Sequence, residues 1–322
     1  MRSHPRFTSP AKLASLRARA RDVATRAATA TLRDQLPQLA PNLMQFSQYW
    51  PHQYQAECYS RPIQPDLSTT HPSSPIAVPP PEFWAHYCTS TESYLESGRE
   101  DCDALRRLLA ESDAPIEQAG RILELGCAGG RMLRWLTDLT PETQLWGADI
   151  WSSAVLWCQD HLSPPCHFLT NTIVPHLPFE DRSFGLIYCG SVFTHVDDLV
   201  EAWFLELHRI LRPGGRLYFS VNDRHAVAVF DGDASPEAYP RYYERTGGKP
   251  NWDAFVQMIS KRSDYQRFRR GEAYMVTMGR SMSAHVMWDT NVLCRRLEYG
   301  YRACSVTPES YGHQTTVLLE RL

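Results

Sequence analysis

No glycine occurs before Gly98, although the chain of 322 residues contains 17. Tight left-handed turns are therefore scarce in its first third. Proline runs the other way, with 10 of its 23 residues between Pro37 and Pro81. No Cys-x-x-Cys pair occurs. The nine cysteines are odd in number and scattered, which argues against a zinc site and against a disulfide framework. No metal is expected. No apolar run is long enough to span a bilayer. Nor is there an excess of positive charge: the net charge is −3, and nothing in that balance calls for nucleic acid. There is no internal repeat, and nothing marks an oligomeric state. Reduced thiols in apolar runs, as at Cys127 and Cys189, point to a reducing compartment, the cytoplasm.

What is present divides the chain into four parts. Residues 1–36 carry eight lysines and arginines against two acids, a local +6 that leaves −9 for the remainder. Leu13, Leu16, Ala20, Val23, Ala27 and Ala30 give this stretch a weak helical stripe. It reads as a basic surface helix. As an Arg-rich, acid-poor N-terminus, it would mean an organelle if it served as a transit peptide. Residues 37–81 are proline-rich and extended, yet hold Phe46, Tyr49, Trp50, Tyr54 and Tyr59, so they are expected to wrap the remaining chain. Residues 82–115 read as helical, with one helix from Glu82 and a second beginning after Ser97-Gly98. Residues 116–322 alternate strands with helices, which predicts βαβ units and a parallel sheet covered on both faces. Within them, residues 222–272 are polar and aromatic (Tyr239, Tyr242, Tyr243, Trp252, Phe255) and read as an inserted lid. Tyr274–Met278 and Thr316–Leu319 are expected to close the sheet, with a helix over 289–297 between them.

The chain is organised around residues 121–131. The apolar run Ile122–Leu125 contains Glu124 and leads into Gly126-Cys127-Ala128-Gly129-Gly130. Met132, Leu133, Leu136 and Leu139 then repeat at helical spacing. Strand, glycine turn and helix make a ligand site, because the turn admits a ligand's close approach and the helix start offers free N–H groups. A dinucleotide fingerprint would need Gly-x-Gly-x-x-Gly, and Ala128 and Arg131 break it. The segment resembles instead the first motif of the class I S-adenosylmethionine-dependent methyltransferases, an acidic residue followed by Gly-x-Gly-x-Gly. Here it is Glu124, Gly126, Ala128 and Gly130, with alanine at the middle glycine.

Three later stretches support the resemblance. Leu177-Pro178-Phe179 through Phe184 is similar to the family's lead-in to its fourth strand, although Gly185 stands where the family has aspartate. Phe193-Thr194-His195 matches a turn that recurs after that strand. Leu211-Arg212-Pro213-Gly214-Gly215 matches the family's approach to its fifth strand. The resemblance implies a Rossmann-like, doubly wound sheet of seven mostly parallel strands, and S-adenosyl-L-methionine as cofactor. It covers residues 116–221 well and residues 1–81 not at all.

Candidate site residues follow from both lines. Asp149 lies 23 positions after Gly126, at the expected end of the second strand, where a carboxylate can accept both hydroxyls of a ribose. Its other use would be to cap the next helix. Ile150 and Trp151 would flank adenine. The resemblance places Asn171, with Thr172, against the adenine amino group. Gly126, Cys127, Ala128 and Gly130 would cradle the cofactor, with Glu124 beneath, and Gly190 and Ser191 would meet its other end. Ser191, Phe193 and His195 are expected near the transferable methyl. A hydroxyl acceptor needs a base, and His195, Asp223 and His225 are the candidates. His195 also has a structural reading, packed under the following helix. The expected reaction is O-methylation of a small or medium organic acceptor, such as a sugar, a natural product or a peptide carboxylate. The alternative is a protein of the same fold that binds the cofactor without catalysis.

Overall fold

The computed structural model describes residues 77–84, 88–231, 259–278 and 284–322. The expected basic helix, the proline-rich segment up to residue 76 with its five aromatics, Tyr87, and the lid aromatics between Tyr239 and Phe255 lie outside these residues.

Seven strands form one sheet in the order β3-β2-β1-β4-β5-β9-β8. They are β1 (Arg121–Leu125), β2 (Gln144–Asp149), β3 (Cys166–Thr170), β4 (Phe184–Cys189), β5 (Leu211–Val221), β8 (Tyr301–Tyr311) and β9 (Gln314–Arg321). β1 to β5 pair in parallel, while β9 runs antiparallel to both neighbours. The strand order reverses between β1 and β4, and ligands of open α/β sheets bind beyond the carboxyl ends of strands at such a reversal.

Alternation along the strands builds two cores. Leu123 and Leu125 of β1 face one side with Ile187, Phe219 and the helix Val200–Ile210 (α3 below). Ile122 faces the other with Leu105, Leu109 and Leu136. The helices are α1 (Thr91–Glu111), α2 (Ser152–His161), α3 (Val200–Ile210), α4 (Arg224–Asp231), α5 (Ser263–Arg269) and α6 (Thr290–Leu297). No helix among the described residues is long and apolar enough to cross a membrane.

Four expectations are corrected. A single helix, α1, replaces the two expected around Gly98. Ser90 starts it with a reciprocal cap, its hydroxyl accepting from Ser93 N–H while the Ser93 hydroxyl accepts from Ser90 N–H, both at 3.1 Å. Gly98 lies inside the helix because a β-carbon there would collide with the Arg131 carbonyl. Second, residues 81–83 form only a short 3₁₀ turn. Third, the helix after the glycine turn is a 3₁₀ helix, Leu133–Leu139, although Met132, Leu133, Leu136 and Leu139 are buried as its spacing implied. Fourth, Tyr274–Met278 does not close the main sheet. β6 (Met275–Met278) pairs with β7 (His285–Trp288) in a separate two-stranded sheet, which shares a small core with α4 and α5. The unforeseen β8 closes the main sheet. As an edge strand its middle is exposed, so it shows little apolar pattern.

The insertion between β5 and β8 is joined to the main sheet by backbone hydrogen bonds. Val286 N–H donates to Thr194 O at 2.8 Å, and Trp288 N–H to Asn222 O at 2.7 Å. β7 thereby sits across the carboxyl ends of β4 and β5.

Candidate active site

The glycine turn leaves β1 at Gly126, whose φ is +82°. The turn is held against β2 by Gly126 and Cys127 N–H groups, which both donate to Ala148 O. Ala128 has a φ of +41°, so the chain holds an alanine in the left-handed region where a glycine would be unstrained. Its N–H donates to Asp149 Oδ2 at 2.7 Å, and Trp151 N–H donates to Oδ1 at 2.8 Å. Asp149 thus braces both the glycine turn and the loop after β2. It does not cap α2, whose start carries no side-chain cap. Ile150 N–H approaches the same carboxylate, and the lone pairs left over are available to ribose hydroxyls. Burial pushes the Asp149 carboxyl above its usual range, against the lowering by these N–H donors.

The Cys127 side chain faces the core, so only its backbone is offered to a ligand. Glu124 is buried below the turn. Its Oε2 accepts from Leu133 N–H and from Tyr188 O–H, each at 3.1 Å. Glu124 therefore pins the 3₁₀ helix and β4 to β1. Burial, only partly offset by the Arg131 guanidinium, pushes its carboxyl up to about 8. An unfolded chain releases that proton near the ordinary value of 4.5. The contribution to stability is thus full below 4.5 and is lost as pH rises through about 8. Chemical denaturation of Glu124→Gln beside the native chain at pH 6 and pH 9 checks this. The native chain is expected to lose about 3 kcal/mol more than the variant between the two values; parallel losses would contradict the buried acid.

Asn171 N–H donates to Asp149 O at 3.0 Å, which sets the ends of β3 and β2 side by side. Its side-chain Nδ2 donates to Thr172 O at 2.9 Å. Asn171 Oδ1 is buried and has no hydrogen-bond partner among the described residues. A buried acceptor without a donor costs about 1–3 kcal/mol, so a ligand N–H there would be strongly favoured. Thr172 Oγ1 accepts from Val174 N–H and shapes the same loop.

Beyond β4, Gly190 leaves room for the Tyr311 hydroxyl. Ser191 has a φ of +57° and is held by a closed polar ring. Its N–H donates to Ser220 Oγ, Ser220 donates to Gln314 Oε1, and Gln314 Nε2 donates back to Ser191 Oγ, at 2.7–2.8 Å. Phe193 does not reach the site. It is buried, stacked on Phe204 with centroids 4.5 Å apart.

The three candidate bases have different surroundings. Asp223 Oδ1 accepts from His225 and Ala226 N–H groups and so caps α4. His225 pairs through Nε2 with Glu309. His195 Nδ1 lies 2.7 Å from Ala284 O, which can only accept. Nδ1 therefore carries the proton, and Nε2 keeps its lone pair. Burial lowers the His195 pKa, so the ring is neutral at neutral pH.

A segment before α1 lies over the glycine turn. Arg134 donates to Gly129 O, Gly130 O and Ala77 O. Tyr94 O–H donates to Gly129 O at 3.1 Å, and Phe83 meets Trp151 edge-on at 5.4 Å. The sequence had offered no signal for these contacts, nor for Gln314, His285 and His313, which no motif contains.

Residues 123–219 match the methyltransferase domain family, a span that runs from β1 into β5 and holds the glycine turn, Asp149, Asn171, Ser191 and His195. The chain carries a class I S-adenosylmethionine-dependent methyltransferase domain. Gly185, the departure noted beside the family's aspartate, is needed here, because a β-carbon would collide with the Ala119 backbone. The methyltransferase domain is similar to malonyl-[acyl-carrier protein] O-methyltransferase of Hahella chejuensis, 29% identical over 100 residues, 31% of this chain and 36% of that protein. It is similar also to ribosomal RNA large subunit methyltransferase G of Magnetococcus marinus, 28% identical over 158 residues, 45% of this chain and 42% of that protein. The chain thus spans less than half the length of either relative. Among solved structures, the PH0226 protein of Pyrococcus horikoshii overlies 73% of this chain and 95% of its own, with 16% identity and a TM-score of 0.49. The ribosomal RNA relative leaves the expectation of no nucleic-acid partner without support from the comparisons.

The residues present fit S-adenosylmethionine. The unpartnered Asn171 Oδ1 suits the donor of an adenine amino group, and Asp149 the hydroxyls of a ribose.

Proposed function

We propose that the protein transfers the methyl group of S-adenosylmethionine to an oxygen of a small or medium organic acceptor, such as a sugar, a natural product or a peptide carboxylate. The observation that carries this reading is His195, neutral, its lone pair on Nε2, at the carboxyl end of β4. Bound S-adenosylmethionine supplies an activated methyl on a sulfonium sulfur. Asp149 and Asn171 would hold its nucleoside, and the Gly190–Ser191 turn would face its methionine end. His195 Nε2 would take the proton of a hydroxyl acceptor as the new O–C bond forms. The chain's own work is alignment of nucleophile, carbon and sulfur. Of the other candidates, Asp223 and His225 are placed to support α4 and the β8–β9 hairpin. A small acceptor accords with the −9 charge outside the basic N-terminus. Free thiols at all eight described cysteines accord with a cytoplasmic setting.

The test is methyl incorporation from labelled S-adenosylmethionine into deproteinised extract by native and His195→Ala protein. The variant is expected to lose turnover about a hundredfold while binding S-adenosylhomocysteine with unchanged affinity. Turnover equal to that of the native chain would make His195 a structural residue only.

A further inference from the structure

We propose that Gln314, at the start of β9, is a positioning residue for the cofactor: it fixes the Ser191 hydroxyl as an acceptor for the α-ammonium of the cofactor's methionine end. This rests on the placement of that end at the Gly190–Ser191 turn given above. Gln314 lies outside the residues that match the family, 123–219, and reaches the turn across 123 positions of chain. β9 runs antiparallel to β5, with Thr315 opposite Val221, so its start lies beside the carboxyl ends of β4 and β5.

Three hydroxyls and one amide meet there, and their hydrogens have one consistent arrangement. Thr194 Oγ1 lies 2.8 Å from both Ser191 O and Ser191 Oγ. The carbonyl can only accept, so the Thr194 hydrogen goes to it. The Ser191 hydrogen must then go to Thr194 Oγ1. Ser191 Oγ faces Gln314 at 2.8 Å with no hydrogen left to give, so that contact needs the amide's Nε2 as donor. A flipped amide would set two acceptors against each other. Gln314 Oε1 is thereby turned to Ser220, whose hydroxyl donates to it at 2.7 Å and accepts from Ser191 N–H at 2.7 Å.

The arrangement decides what Ser191 can bind. Its Oγ has given its hydrogen to Thr194 and used one lone pair on Gln314. A hydroxyl oxygen has two lone pairs, so one remains. Toward a ligand Ser191 is therefore an acceptor and not a donor, which suits an ammonium and excludes a carboxylate. Of the four residues only Ser191 is half-buried, while Thr194, Ser220 and Gln314 are at most 6% exposed. Ser191 is thus the member that faces outward from the ring. Its backbone is committed as well, with a φ of +57° and its N–H on Ser220. Glycine adopts that conformation without strain, so the hydroxyl is what the serine adds. Without the Gln314 amide, Ser191 Oγ loses the donor that sets its direction, and the remaining lone pair is no longer aimed.

Calorimetric titration of the full chain compares native protein with Ser191→Ala, Gln314→Met, Gln314→Asn and the double variant Ser191→Ala with Gln314→Met. The ligands are S-adenosylhomocysteine, the same molecule without its α-amino group, and 5′-methylthioadenosine, which keeps the nucleoside but has no amino-acid end. Gln314→Met, and Gln314→Asn, whose amide is one methylene too short to bridge, are expected to weaken S-adenosylhomocysteine about tenfold. Both are expected to bind 5′-methylthioadenosine within twofold of native, which also shows them folded. Ser191→Ala is expected to weaken S-adenosylhomocysteine tenfold or more, since a hydrogen bond to a charged group is lost. The double variant is expected to bind it no more weakly than Ser191→Ala. The deaminated ligand is expected to bind native and Gln314→Met within twofold of each other. Four results overturn the proposal and leave methyl transfer standing. They are S-adenosylhomocysteine affinity within twofold of native in the Gln314 variants, equal weakening of all ligands, a further loss in the double variant, or a tenfold preference of the deaminated ligand for native. Failure of the native chain to bind S-adenosylhomocysteine or 5′-methylthioadenosine at all overturns the cofactor reading beneath it, and this one with it.

Discussion

Replacing Asp149 by alanine is expected to weaken S-adenosylmethionine binding about a hundredfold and to destabilise the fold by about 2 kcal/mol. Both effects come from one carboxylate. A hydrogen bond to a charged group contributes about 1.5–3 kcal/mol, and two ribose hydroxyls are at stake. At the lower end of that range two such bonds are about 3 kcal/mol, roughly a hundredfold in affinity. In the folded chain the same oxygens accept from Ala128 and Trp151 N–H groups. Alanine leaves both donors without their partner, at the edge of a turn already strained at Ala128. Asp149→Asn keeps one acceptor and is expected to fall between the two. Calorimetric titration gives the affinities and urea denaturation the stabilities. Unchanged affinity in the alanine variant, with the stability loss present, would leave Asp149 as a brace of the turn and nothing more.

Replacing Arg131 by methionine is expected to cost about 3–5 kcal/mol, because it strands a buried carboxylate. Arg131 lies where a dinucleotide fingerprint would place its last glycine. Its guanidinium is buried and makes an ion pair with Asp101 of α1 at 2.6 Å. It also donates to Ser97 Oγ at 3.1 Å and to the Tyr311 hydroxyl at 2.6 Å. One side chain therefore joins α1, the glycine turn and the β8–β9 hairpin. The double variant Arg131→Met with Asp101→Leu is expected to recover most of the loss, since apolar residues often replace a buried ion pair without cost. Urea denaturation of the single and double variants checks this. Equal loss in both would mean that the packing of Arg131, rather than its charge, holds the three elements together.

The parts legible in the sequence are those whose burial is set by local periodicity. β1, β2, β3, β4, α2 and α3 show their apolar runs or stripes directly, and Asp149 and Asn171 stand at the ends of β2 and β3 that those runs define. The glycine turn was readable because its backbone needs are strict, although the alanine at 128 gave no hint that it adopts a positive φ. The rest depends on contacts distant in sequence. Gly98 resembles a helix boundary until the Arg131 carbonyl is seen against it. β6 shows an ordinary strand pattern, but its partner is β7, not the main sheet. Asp223 and His225 are candidate bases because they follow β5, and no local pattern shows the helix cap that the first makes or the pairing of the second with Glu309. His285 belongs to no motif, and its nearness to His195 arises from the docking of β7 on the turn after β4.

Calorimetric titration of the full chain with S-adenosylmethionine, S-adenosylhomocysteine and NAD tests the central claim most directly. Micromolar binding of the first two and none of NAD is the predicted result, since Ala128 and Arg131 break the dinucleotide fingerprint and the roles proposed for Asp149 and Asn171 call for a single nucleoside. Binding of NAD alone, or of none of the three, would contradict a functional methyl-donor site.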